Sequence, residues 1–238
     1  MNKLISRNDT LRISKSLKKM AEVAVKDLED ARIVSLGSGS AVAAFVKALS
    51  EYVKQHKINI SVIPSSIQIQ LIAERANLNI CSYHLIPFID LAVDGADQID
   101  NQFRMIKGGG GALLKEKVLL SSAKRRIILA DESKFTKLLN KPVPIEVHPF
   151  ARASVEKSLK LMGSMPRLRV REKDYPFITD NGNIILDTDF GEIPNPKELE
   201  LKIKALPGVM EVGIFTCKID RVYKVYTSGY VERIDVRS

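Results

Sequence analysis

The sequence predicts an α/β protein. It is expected to hold a doubly wound, mostly parallel sheet (Rossmann-like) and a second, smaller α+β domain of split-βαβ, ferredoxin-like order. Three observations carry this. Over roughly the first 140 residues, short apolar runs that end in polar residues alternate with segments of helical periodicity. After Lys141 the order changes to strand, helix, strand, strand, helix, strand. The last apolar run, Arg221-Val222-Tyr223-Lys224-Val225-Tyr226, is placed to return to the first sheet. The expected division is 1–140 plus 217–238 for the Rossmann-like domain that carries the candidate site, and 141–216 for the small domain.

Taken in order, Ile13, Leu17, Met20, Ala24 and Leu28 recur at helical spacing and predict an amphipathic first helix. Arg32-Ile33-Val34-Ser35-Leu36 reads as a strand, Gly37-Ser38-Gly39-Ser40 as a tight loop, and 41–49 as a helix. Strand, small-residue loop, helix is an arrangement that cradles a phosphate. Val42 stands where the dinucleotide fingerprint wants glycine, so the loop reads either as an anion site or as a plain turn. A strand over 58–63, a helix over 68–77 and a short strand over 78–81 follow. Strands over 91–93 and 127–130 end at Asp94 and at Asp131-Glu132-Ser133-Lys134. In the small domain, strands are expected over 143–147, 167–171, 183–187 and 209–215, with helices over 154–162 and 196–205. Asn181-Gly182 marks a turn, and Pro196 suits a helix start.

Composition narrows the function classes. In a chain of 238 residues, 45% hydrophobic content supports a substantial core. No apolar run approaches about 18 residues, so no membrane partner is expected. The first nineteen residues lack the apolar centre of a signal peptide. Cys81 and Cys217 are too few for a disulfide framework, which favours a cytoplasmic location. His56, His84 and His148 show no metal-ligand spacing. The net charge of +9 suits an anionic partner, yet the basic residues are spread among acids and there is no Trp. A small anionic substrate is favoured over nucleic acid.

The densest chemistry lies in 94–126. Asp94 ends a buried strand, Asp97 follows, and Lys107 precedes four glycines, Gly108, Gly109, Gly110 and Gly111. Such a run turns sharply or comes close to a ligand, and its N–H groups suit an oxyanion. Glu116 sits on the helix that follows, with Leu113, Leu114, Val118 and Leu120 expected on the buried side. A carboxylate beside fixed N–H donors suits proton abstraction next to a carbonyl. The competing reading makes Glu116 an exposed residue between Lys115 and Lys117. Asp94 and Asp97 equally read as turn or capping residues, and Asp100 reads as one. Paired aspartates could also hold Mg²⁺, but nothing else in the sequence argues for a metal or a cofactor.

DGADQID, IKGGGGALLKEK and ADESK resemble signature stretches of type A ribose-5-phosphate isomerases. So do SLGSGS, PSSIQ, PVPIEVHPFA, ITDNGNIILDTDFG and LPGVMEVGIF, in the family's order, over about 20–215. The resemblance implies interconversion of ribose 5-phosphate and ribulose 5-phosphate through an enediolate, with no cofactor and no metal. It implies that Glu116 moves the proton between C1 and C2. Asp94, with Gly95 and Ala96 beside it, would serve ring opening and hydroxyl binding. Asp97 and Lys107 would contact the sugar, and Gly108, Gly109 and Gly110 would donate N–H groups. Ser38, Gly39, Ser40, Ala41 and Lys134 would hold the substrate, chiefly its phosphate. An early lysine, Lys18 or Lys19, aligns loosely and is left without a role. A homodimer or homotetramer is implied.

Two positions depart from the family's pattern. Where its loop reads G-T-G-S-T this chain has Ala41, which removes a hydroxyl and predicts weaker substrate binding without loss of reaction. Gln98 stands where glutamate is common, at a position with no part in proton transfer. The alternative reading is a non-catalytic sugar-phosphate sensor domain of a regulator, although no helix-turn-helix is seen before Ile33. An acyl-CoA-handling enzyme would need a carboxylate motif that the sequence lacks.

Overall fold

The computed structural model describes residues 7–85 and 88–236. In chain order the elements are α1 Arg7–Ala24, β1 Ile33–Leu36, α2 Gly39–His56, β2 Ser61–Pro64, α3 Ile67–Arg75, β3 Asn79–Ile80, β4 Ile89–Gly95, β5 Gln98–Ile99, β6 Met105–Ile106 and α4 Leu113–Ser122. They continue with β7 Ala123–Asp131, β8 Val143–Val147, α5 Arg152–Leu161, β9 Met165–Leu168, β10 Ile184–Asp189, α6 Pro196–Lys204, β11 Val209–Val212, β12 Ile214–Phe215, β13 Arg221–Val225 and β14 Val231–Asp235. Residues 1–6, within the stretch read against a signal peptide, lie outside the described residues, as does the side chain of Ile13.

By contact the chain forms two compact units, Met1–Gly95 with Ser122–Ser133 and Ile219–Ser238, and Ala96–Ser121 with Lys134–Lys218. Residues 96–121, assigned from the sequence to the larger domain, group with the second unit.

The first unit is built on a seven-stranded sheet of order β14-β13-β7-β4-β1-β2-β3. Every pairing is parallel except that of β14 with β13. This is the doubly wound α/β arrangement that the alternating rhythm predicts. The strand order reverses between β1 and β4, and ligands of such sheets bind beyond the carboxyl ends of the strands at that point. Val34, Leu36, Leu91, Val93, Ile127 and Leu129 pack with Leu17, Met20, Leu28, Phe45 and Leu49 in one core. Each such side chain contributes about 1.5–3 kcal/mol on full burial. The returning strand is tied in by Asp27, whose Oδ2 accepts from Tyr223 Oη at 2.7 Å and from the Arg221 guanidinium. The edge strand β14 has no counterpart in the sequence reading, because its half-buried, charged run VERID carries no continuous apolar signal.

The second unit holds an antiparallel four-stranded sheet of order β11-β8-β10-β9. With α5 between β8 and β9 and α6 between β10 and β11, this is the expected split-βαβ order. Val143, Ile145 and Val147 pack with Val155, Leu159, Leu186 and Ile203. One expectation needs correction: the strand predicted over 209–215 is two strands in two sheets. Gly213 divides them, its N–H donating to Pro144 O at 2.7 Å and its carbonyl accepting the Lys107 N–H at 2.9 Å. Beyond it, β12 joins the three-stranded sheet β12-β6-β5.

Candidate active site

In the second unit the glycine run closes as a turn, with Gly111 N–H donating to Gly108 O at 3.0 Å. The helix α4 follows at once. Its buried residues are Leu113, Glu116, Leu119 and Leu120. Val118, expected inside, is 37% exposed, whereas Glu116 is 2% exposed. The reading of Glu116 as a solvent-facing residue between two lysines is therefore wrong. Its Oε2 stands 3.2 Å from Nζ of Lys107, itself 3% exposed. A buried carboxylate is tolerated when it is paired in this way.

Neighbouring groups fix this pair in place. The β6 strand, which delivers Lys107, pairs with β12 in the register Ile106 to Ile214. From α4, Lys117 reaches the same segment and donates to Val212 O at 2.6 Å and Ile214 O at 2.9 Å. Its ammonium also meets Glu200 at 2.6 Å and Glu211 at 2.9 Å. Both lysines face the Phe215 ring, Lys117 at 4.7 Å and Lys107 at 5.4 Å from its centre. The short segment 212–215 thus sets the position of the ammonium and, through Lys117, of the helix that carries the carboxylate. Burial pushes the Glu211 carboxyl up, but the charges of Lys117 and Lys204 and the Val212 N–H hold it below the ordinary glutamate value.

Asp97 joins the same group. Its Oδ2 accepts the Gly109 N–H at 2.8 Å. A Cβ on residue 109 would lie 2.8 Å from Asp97 Oδ1, so only glycine permits this approach. One of the N–H groups assigned to an oxyanion is thus engaged by a resident carboxylate. Lys141 Nζ holds the Asp97 carbonyl at 2.8 Å.

In the first unit, Asp94 is the penultimate residue of β4, just past the end of the neighbouring β1, and is 1% exposed. Its Oδ1 accepts from Gly95 N–H at 2.7 Å and Ser38 N–H at 3.3 Å. Gly37 makes room for it, since a Cβ there would lie 1.8 Å from Asp94 Oδ1. Gly39, Ser40 and Ala41 open α2, whose first turn presents N–H groups to an anion. A groove of about 680 Å³ beside it is lined by Lys15, Lys18, Lys47 and Ser40, with Glu22 and Glu51. In it Lys18, one of the two unassigned lysines, pairs with Glu22 at 3.7 Å.

The remaining candidates sort by contact. Lys134, half-buried, closes the short turn Glu132–Lys134. Ala96 is half-buried beside Gly95 in the chain. Asp100 is a turn residue, as expected, accepting from the N–H groups of Gln102 and Arg104 at 2.9 Å each. Gln98 is a clamp: its Oε1 accepts from Asn140 N–H at 2.8 Å and Lys141 N–H at 3.0 Å, and its Nε2 donates to Asn140 Oδ1. Among the described residues no three His, Cys, Asp or Glu side chains group as metal ligands, and no helix is long and apolar enough to cross a membrane. Sequence reasoning missed Lys117, Phe215 and Arg169. Only the unbroken run KEK around Glu116 hinted at the first, and nothing in the spacing marked the others.

Comparison with known proteins points to one family. The family model described as ribose 5-phosphate isomerase A (phosphoriboisomerase A) matches residues 61–229. A protein of Methanosarcina acetivorans named ribose-5-phosphate isomerase A is 43% identical, over 85% of this chain and 86% of its own. The solved structure of ribose 5-phosphate isomerase A from Methanocaldococcus jannaschii superposes with a TM-score of 0.87 at 35% identity, covering 92% of this chain and 98% of that one. A D-ribose-5-phosphate isomerase solved in complex with phospho-erythronic acid gives 0.88 at 38% identity, over 92% and 97% of the two chains.

Proposed function

Since the chain belongs to the ribose 5-phosphate isomerase A family, we propose that it interconverts ribose 5-phosphate and ribulose 5-phosphate through an enediolate. The observation that carries this reading is the buried Glu116–Lys107 pair, 3.2 Å apart, on the helix that the glycine run opens into. Moving a hydrogen between C1 and C2 needs a base that takes the proton from one carbon and returns it to the other. Glu116 is that base. Lys107 offsets the negative charge that develops on the substrate oxygens, and the glycine-loop N–H groups add donors to the same charge. Asp97 binds sugar hydroxyls, and Asp94 assists opening of the furanose ring. Ser38, Gly39, Ser40, Ala41 and Lys134 hold the phosphate end, with Gly95 and Ala96 along the sugar. The bound phospho-erythronic acid of the 38% identical structure supports this chemistry, because an aldonate carboxylate has the charge and planarity of an enediolate.

We further infer a cytoplasmic homodimer or homotetramer, in keeping with the family resemblance; analytical ultracentrifugation measures the oligomeric state. The catalytic reading is tested by assaying Glu116→Gln with ribose 5-phosphate in D₂O. A fall in turnover of about 10²–10⁴-fold, with binding retained, is expected. Deuterium incorporation at C2 by the unaltered protein, lost in the variant, identifies the proton transfer. Binding without exchange by the unaltered protein would instead favour a non-catalytic sensor.

A further inference from the structure

The carbonyls of the glycine loop are held by an arginine that lies outside all the motifs read from the sequence. Arg169 follows β9, and its side chain is 15% exposed. Two of its nitrogens grip the two oxygens of Asp187, Nε to Oδ2 at 2.8 Å and Nη2 to Oδ1. The remaining nitrogen, Nη1, donates to Gly108 O at 2.8 Å and to Gly109 O at 3.1 Å. The Phe177 ring lies 5.7 Å from the guanidinium carbon, and the Phe177 N–H donates back to Arg169 O at 2.9 Å.

In a trans peptide the carbonyl and the next residue's N–H point in opposite directions. Anchoring the carbonyls of Gly108 and Gly109 on Arg169 therefore turns the N–H groups of Gly109 and Gly110 the other way. The Gly109 N–H does point away, reaching Asp97 Oδ2 at 2.8 Å. Four successive glycines have more backbone freedom than any other tetrapeptide, and stabilising a developing charge depends on donors that need no reorganisation. A cation on the carbonyl side also polarises each amide and strengthens its N–H as a donor. The fork of a guanidinium can hold a carboxylate and two carbonyls at once; an ammonium lacks that fixed geometry.

We propose that Arg169, clamped by Asp187, is a positioning residue that fixes the glycine-loop peptides, holding the Gly109 N–H on Asp97 and aiming the Gly110 N–H at the negative charge developing on the substrate. It acts through the loop, and the proposal rests on the isomerase reading above. The test compares Arg169→Met, Arg169→Lys and Asp187→Asn with the unaltered protein. Three quantities are measured: kcat and KM for ribose 5-phosphate, inhibition by a phosphorylated four-carbon aldonate, and hydrogen exchange over 107–113.

For Arg169→Met, kcat falls about 10–100-fold, somewhat less than the roughly 10²–10³-fold for deleting a donor outright. KM stays within about threefold, inhibition weakens by a factor similar to that in kcat, and exchange over 107–113 accelerates. Arg169→Lys, which keeps the charge without the fork, falls between. Unchanged kcat per folded molecule, or losses confined to thermal stability, would overturn the proposal. So would wild-type exchange protection in Arg169→Met. That measurement needs no turnover, so it decides the positioning claim separately from the isomerase reading, which fails only if the unaltered protein does not convert ribose 5-phosphate.

Discussion

Lys107 Nζ and Glu116 Oε2 face each other at 3.2 Å with almost no solvent access, 3% and 2% respectively. Each removes the cost of burying the other. Replacing one alone strands a charge, which typically costs about 3–5 kcal/mol, whereas removing both together costs far less. Lys107→Met should lower the urea midpoint sharply, and Lys107→Met with Glu116→Leu should recover most of it while remaining inactive. A double variant whose loss equals the sum of the losses of Lys107→Met and Glu116→Leu taken singly would show that the two side chains are not energetically coupled.

Gly37 is a second point where a single atom decides the outcome. A methyl group there would lie 1.8 Å from Asp94 Oδ1 and 2.0 Å from its Cγ. Gly37→Ala should displace the Asp94 carboxylate from the Ser38 and Gly95 N–H groups at a stability cost of about 1–3 kcal/mol, the range for overpacking. If Asp94 serves the sugar as proposed, kcat/KM for ribose 5-phosphate falls with it. Retained activity in a folded Gly37→Ala protein would remove Asp94 from the reaction.

Acid sensitivity follows from Glu211. Burial pushes its carboxyl up, and the Lys117 charge and hydrogen bond, the Val212 N–H and the Lys204 charge together hold it below the ordinary value of 4.5. A group with a depressed folded value contributes stability that is complete above its unfolded value and is lost as pH falls through the folded one. Stability should therefore begin to decline below about pH 4.5, and this component should be absent from Glu211→Gln. Lys117→Met should destabilise by about 3–5 kcal/mol at pH 7, with a smaller deficit in acid, where Glu211 no longer needs a partner. Urea midpoints measured from pH 3 to 7 provide the check.

Long-period features were the legible ones. The strands β1, β4 and β7 could be read because buried parallel strands are continuous apolar runs closed by polar residues, although β4 and β7 run on to Gly95 and Asp131. Segments of two residues, such as β5, β6 and β12, are too short to show any period, so the sheet that delivers Lys107 was invisible. The break at Gly213 was hidden for a related reason: apolar residues flank it on both sides, and only the Pro144 and Lys107 backbone partners reveal two sheets. On α4 the buried side is shared by leucines and one carboxylate. Helical periodicity therefore misassigned Val118 and left Glu116 ambiguous until the Lys107 contact was seen. Arg169 sits in the run RLRVR, where nothing local separates a surface arginine from one that holds a loop.

Ala41 offers a test by gain. It lies half-buried in the first turn of α2, beside Ser38, Gly39 and Ser40, where a phosphate would meet backbone N–H groups. The family's loop carries threonine there, and a hydrogen bond to a charged group is worth about 1.5–3 kcal/mol. Ala41→Thr should therefore tighten ribose 5-phosphate binding by roughly 10–150-fold, because each 1.4 kcal/mol is a factor of ten. The added methyl would sit against the core that Ala41 already touches, so the realised gain should fall toward the lower end. The phosphate is present in substrate, intermediate and product alike, so the hydroxyl binds all of them equally and kcat should not rise. Isothermal titration with ribose 5-phosphate on the Glu116→Gln background, where turnover does not interfere, reads the affinity directly. An unchanged Kd in Ala41→Thr would place the phosphate away from the α2 N-terminus.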